Sequence, residues 1–124
     1  MNYDSINRDL ILGFPELATL FEEQFKYWGS TDIPSHCFFG DSLNHYLTEL
    51  LRNNNDRNQI EKVFKFYERL ACSDDEKVRD LLQVTLLEHL WDERSVYENA
   101  LDYMLPKTHE LNSTISSYLR MPLD

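Results

Sequence analysis

The sequence predicts an all-α domain, and three observations carry that reading. No segment sustains the apolar–polar alternation of a half-buried strand. Only 3 Gly and 4 Pro occur among 124 residues, too few turn-formers for a many-stranded sheet. The stretch Ser73 to Trp91 joins a helix-start signal to apolar residues on more than one face. Such a helix lies between neighbours rather than on top of one. The expected architecture is a compact bundle of about six to seven helices, packed as antiparallel hairpins, over a single domain spanning residues 1–124.

The elements follow in order. Asn2 to Ile11 reads as a short helix with Tyr3, Ile6 and Leu10 on one side. Pro15 opens the next helix, because a proline in the first turn loses no hydrogen bond there. Leu17, Leu20, Phe21, Phe25 and Trp28 recur at the helical period, and Gly29 is a fitting stop. Ser30 to Phe39 reads as the long irregular segment, with Phe38 and Phe39 either plugging the core or forming a binding patch. Asp41 is the expected N-cap of a helix running to about Arg52, with Leu43, Leu47, Leu50 and Leu51 inward.

Asn53-Asn54-Asn55 breaks the chain before a helix from about Asp56 to Cys72, whose apolar face is Ile60, Val63, Phe64, Tyr67 and Ala71. Ser73 and Glu76 form a capping-box pattern. In the helix that follows, Val78, Leu81, Leu82, Thr85, Leu86 and His89 make one broad face, and Val84, Leu87 and Trp91 a second stripe. A shorter helix from about Glu93 to Leu105 uses Val96, Tyr97, Ala100, Leu101 and Met104. Pro106 opens the last, to about Arg120, with Leu111, Ile115, Tyr118 and Leu119 inward. The hydroxyl-rich run Asn112 to Ser117 suits close helix approach, or donation to a bound group.

The segments Gln59–Cys72 and Asp74–Trp91 resemble one HEAT-type helical hairpin over about a quarter of the chain. The matching residues are Ser73-Asp74-Asp75, Val78-Arg79, Leu81-Leu82, Leu86-Leu87 and Leu90. No second copy follows at a fixed period, so the likeness implies HEAT-like packing within a small domain, not a solenoid. Phe14-Pro15-Glu16-Leu17, Tyr67-Glu68-Arg69-Leu70 and Leu86-Leu87-Glu88-His89-Leu90 also resemble a group of small acidic helical bacterial proteins. Proteins of this size, charge and helicity include immunity partners of secreted toxins, which is the role this resemblance implies.

Composition excludes several classes. With 22 acidic and 12 basic residues, the net charge of −10 repels nucleic acid and anionic lipid and favours a basic partner or plain solubility. No run approaches the length of a membrane span, and Met1 to Ser5 lacks the basic-then-apolar start of a secretory leader, so a cytoplasmic location is expected. Cys37 and Cys72 form no spaced framework and suit a reduced pair. The three glycines are too scattered for a phosphate loop, and no His-Glu-x-x-His or paired Glu-x-x-His occurs. No metal, cofactor or catalytic set is therefore expected. Cys37, beside His36, is the best placed nucleophile if there were one, whereas Cys72 and His89 read as interior residues and His109 as surface.

Charge distribution points to the site. Residues 74–124 hold 11 acidic and 5 basic residues, and Glu76/Asp80, Glu88/Asp92 and Glu98/Asp102 are like-charge pairs four apart. Each disfavours a free helix by roughly 0.2–0.5 kcal/mol. Acid in the first turn is favourable and excuses Glu76. Around the remaining acids stand large aromatics, a mixture in which rings anchor and carboxylates steer. The expected partner-binding residues are Glu88, Trp91, Asp92, Glu93, Tyr97, Glu98, Asp102 and Tyr103. The expected function is non-catalytic: a monomeric or dimeric immunity protein that masks a basic toxin, concretely a nuclease. The alternative is a HEAT-like scaffold or regulatory module that takes an apolar helix or peptide on Val84, Leu87 and Trp91.

Overall fold

The computed structural model describes residues 2–29 and 33–119, and the side chains of Trp28 and residues 116–119 lie outside that description. The expected inward positions Trp28, Tyr118 and Leu119, and the hydroxyls of Ser116 and Ser117, are thus outside the described set, as are residues 30–32 of the irregular segment. Every regular element among the described residues is helical.

A 3₁₀ turn (Tyr3–Ser5), capped by Asn2, leads into α1 (Ile6–Gly13), and a second (Pro15–Leu17) leads into α2 (Ala18–Trp28). Gly29 ends α2 with φ of 72°, the left-handed value that a Cβ disfavours. Helix α3 comprises Ser35–Asp41 and Leu43–Asn53, interrupted at Ser42. There the Ser42 hydroxyl donates back to the Phe38 carbonyl, the kind of local bond that disturbs a helix. Helix α4 is Arg57–Ala71. Helix α5 joins α-helical Glu76–Asp80, π-helical Leu81–Leu87 and α-helical Glu88–Leu90. Helices α6 (Arg94–Leu101) and α7 (Pro106–Leu119) complete the chain.

The π segment of α5 packs against α3, α4 and α7, so this helix does lie between neighbours. Its inward residues Leu81, Leu82, Leu86 and Leu87 join Phe38, Phe39, Leu43, Leu47, Val63, Phe64 and Tyr67 in one core. Phe38 and Phe39 are fully buried and belong to that core, on a helix rather than in a loop.

Several local expectations are corrected. Asp41 ends the first half of α3 and caps nothing. Asp75, not Ser73, is the N-cap of α5, accepting from the Lys77 amide, while the Ser73 hydroxyl accepts from the Asp75 amide. Phe25 and Leu101 are exposed, and so is Cys72, because α4 has ended by that residue. Ser113 and Thr114 face solvent and donate to the carbonyls one turn back, so their hydroxyls do not serve close packing.

The largest correction concerns the phase of α5. A regular α-helix predicts buried positions 78, 81, 82, 85, 86 and 89, whereas the buried residues are Val78, Leu81, Leu82, Leu86, Leu87 and Leu90. Every position beyond Leu82 is shifted by one. The cause is the π-helical turn, in which the Glu88 amide donates to the carbonyl of Gln83, five residues back. The extra residue is accommodated where side chains of α3 grip the turn. Asn44 donates to the Thr85 carbonyl at 2.9 Å, and His36 shares a hydrogen bond with the Thr85 hydroxyl. His89 consequently leaves the interior: it is half-exposed, with Nδ1 3.6 Å from Asp92.

Candidate functional site

The π turn also decides which residues α5 shows to solvent. Glu76, Asp80, Val84, Glu88 and Asp92 are spaced by four. In a regular α-helix such a row drifts by about 40° per step, so Glu88 would stand about 120° from Glu76. One residue absorbed by the π turn takes back about 100° and leaves the two about 20° apart. The exposure pattern agrees, since Glu76, Asp80, Val84 and Asp92 are exposed and Glu88 is half-exposed. The result is a straight acidic ridge with an apolar residue at its centre, Val84, which is 55% exposed.

Beside Val84 lies a groove of about 420 Å³, lined by Gln83, Val84, Glu88, Thr114 and Ile115. Its second wall is α7, held to α5 by the Gln83 amide donating to the Leu111 carbonyl at 3.3 Å. A shallower hollow continues along the ridge past Thr85, His89 and Asp92.

Five carboxylates away from this ridge form ion pairs with Lys or Arg. Arg52 binds Glu93 and Glu49, Arg57 binds Glu61, Arg94 binds Glu98 and Lys107 binds Glu110. Among the described residues, no Lys or Arg lies within ion-pair distance of Glu76, Asp80 or Glu88, and Asp92 has only His89.

The residues expected to form the site fall into separate groups. Glu88 and Asp92 belong to the ridge. Glu93 is turned to α3, where the Arg52 guanidinium donates to both its oxygens at 2.7–3.1 Å and holds its carboxyl below the usual range. Glu98 is paired with Arg94 on its own helix. Asp102 and Tyr103 lie at the start of α4, where Tyr103 stacks on Phe64 under the Arg57 guanidinium and donates to Asn54.

The aromatics do not form an exposed anchor set. Tyr97 is only 5% exposed, so it supports the surface from beneath. Trp91 packs on Tyr97 with ring centroids 4.3 Å apart, and its indole N–H donates to Asn112, whose amide donates to the Tyr97 hydroxyl. Both rings are turned inward because that buried network and the core take them. The stripe of Val84, Leu87 and Trp91 is likewise broken, since Leu87 is fully buried and only Val84 faces outward.

Sequence reading missed the membership of Glu76, Asp80 and Val84 in one acidic face. The four-residue spacing was the available signal, but the ordinary 40° drift argues against a straight row unless the π turn is known.

Chemistry is sparse elsewhere. Cys37 is exposed beside a hollow formed with Leu20, Glu23, Gln24 and Asp41, and His36 turns from it towards Thr85 and Tyr3. Among the described residues no three His, Cys, Asp or Glu side chains are grouped to hold a metal, and no helix is long and apolar enough to cross a membrane.

Fold and surface together define a small all-helical domain with an acidic ridge along α5. The chain belongs to the family DUF7674, a domain of unknown function, whose model matches residues 7–118. No curated protein and no solved structure matches it significantly.

Proposed function

We propose that the protein is a non-catalytic binding protein that engages a basic protein partner through the outer ridge of α5. The observation that carries this reading is the alignment, by the π turn, of Glu76, Asp80 and Glu88 along one face around exposed Val84, with Asp92 continuing the row. Like charges gathered on one face repel each other, and a cationic partner surface relieves that repulsion. An acidic face of this kind repels nucleic acid and anionic lipid and accelerates encounter with a positive protein surface.

The concrete form is a cytoplasmic immunity protein of bacterial type that covers the positive, phosphate-binding face of a toxin nuclease. Such a nuclease carries cations where it grips its substrate. Laying carboxylates over that groove blocks substrate and speeds association, with a rate that falls as salt rises.

Co-expression with the cationic domain encoded beside it in its genome tests the proposal. Survival of cells carrying both, and its loss with Asp80→Lys/Glu88→Lys at unchanged folding, is the expected result. A neighbourhood of metabolic genes, or protection indifferent to charge reversal, overturns it.

A further inference from the structure

We infer that the groove beside Val84 receives one aliphatic side chain from a basic helical segment of the partner, with lysines or arginines one turn to either side. This rests on the ridge being the docking face. The groove floor and rim differ in chemistry. Ile115 and Val84 are apolar, whereas Asp80 stands one turn before Val84, and Glu88 and Asp92 stand one and two turns after it. An apolar centre bordered by charge is the usual anatomy of a specific interface, with the buried anchor supplying affinity and the rim supplying selectivity.

The spacing also selects the partner's form. On a regular helix, positions i, i+4 and i+7 stay within about 60° of one another at steps of about 5–6 Å, so a partner helix with cation, aliphatic and cation there faces Asp80, Val84 and Glu88. A segment with the cations alone would leave Val84 against water. One with the aliphatic alone would leave the carboxylates desolvated without partners, which is costly. The Gln83 bond to the Leu111 carbonyl holds the two walls together, so the groove exists before the partner arrives.

The test is an amide chemical-shift titration of the full chain with synthetic helical peptides. One carries Lys, Leu and Lys at those positions; a second replaces Leu by Ala; a third replaces both Lys by Glu. The first should shift the amides of Gln83, Val84, Glu88 and Thr114. The Ala peptide should bind about tenfold more weakly or worse, as loss of three buried carbons requires. The Glu peptide should not bind. Val84→Asn, a change at an exposed position that spares the fold, should bring the Leu peptide down to the affinity of the Ala peptide.

Equal affinity of the Leu and Ala peptides, with shifts still on α5, overturns the anchor and leaves the acidic docking face standing. Absence of any shift on α5 with either lysine peptide overturns both.

Discussion

Glu68, in the middle of the chain, caps a helix 40 residues further on. Its Oε1 accepts both the backbone N–H and the hydroxyl of Thr108 at 2.9 Å, and its Oε2 accepts the Lys107 N–H at 3.0 Å. The first amides of a helix have no partner within it, and here a side chain of α4 supplies one from outside. Thr108 is fully buried, so water does not substitute. Glu68→Ala should therefore destabilise the fold by about 1–2 kcal/mol, the usual cost of losing a cap. Urea unfolding should show a lower midpoint with an unchanged slope. An unchanged midpoint would mean that α7 does not depend on α4 for its start.

Asp75 gives a pH dependence of known sign. Its carboxylate accepts the Tyr3 amide at 2.8 Å and the Lys77 amide at 3.0 Å, joining the N-terminal turn to the start of α5. Those two amides, Tyr3 foremost, hold the carboxyl below its ordinary value of 3.8. A carboxyl with a lower pKa in the folded state than in the unfolded state stabilises the fold above the unfolded value. That contribution is lost as pH falls through the folded value. The stability difference between the native chain and Asp75→Asn should stay constant from about pH 7 to about pH 5 and close below about pH 4. Urea midpoints for the two proteins along that series measure it. A difference that persists undiminished at the acid end would show that the charge is not what matters.

Much of this architecture is legible in the sequence. The breaks at Gly29 and Asn54 are where composition places them, and both residues adopt the left-handed conformation that ends a helix. The face of α4 from Ile60 to Ala71 is buried as its spacing requires. Two features are not legible, and both depend on contacts between distant segments. Ser35 to Asp41 carries no strong helix signal, yet Phe38 and Phe39 make it helical by packing into the core. The phase of α5 depends on Asn44 and His36 holding Thr85, residues 41 and 49 positions away. That phase alone turns His89 outward and aligns Glu88 with Asp80, so the candidate site is legible as residue types but not as a surface.

Tyr67 carries a buried hydroxyl with no hydrogen-bond partner among the described residues, and burial pushes its pKa well above the ordinary value. The ring itself packs edge-on against Phe64 with centroids 5.3 Å apart, a contact that phenylalanine keeps. An unpaired hydroxyl in a dry core costs about 1–3 kcal/mol of desolvation. Tyr67→Phe should thus leave stability unchanged or raise it by about 1 kcal/mol. Thermal and urea midpoints check this, and a fall of more than about 1 kcal/mol would reveal a partner for the hydroxyl.

The π turn predicts an asymmetry between shortening and lengthening α5. Core positions before it (Val78, Leu81, Leu82) and after it (Leu86, Leu87, Leu90) are mutually in phase only if one residue between them is surplus to the α-helical count. Deleting exposed Val84 removes that surplus. The helix can then close into regular α form with every core leucine still inward, and Glu88 stays aligned with Glu76 and Asp80. Such a chain should fold and lose no more than about 1–2 kcal/mol through altered contacts of Thr85. Inserting one alanine between Gln83 and Val84 adds a second surplus residue. It turns Leu86, Leu87 and Leu90 by about 100°, exposing residues each worth about 1.5–3 kcal/mol when buried. The insertion should unfold the domain. Circular dichroism and urea denaturation of the two variants separate these outcomes: equal damage from both would show that the π turn is a structural requirement in itself, not a register correction.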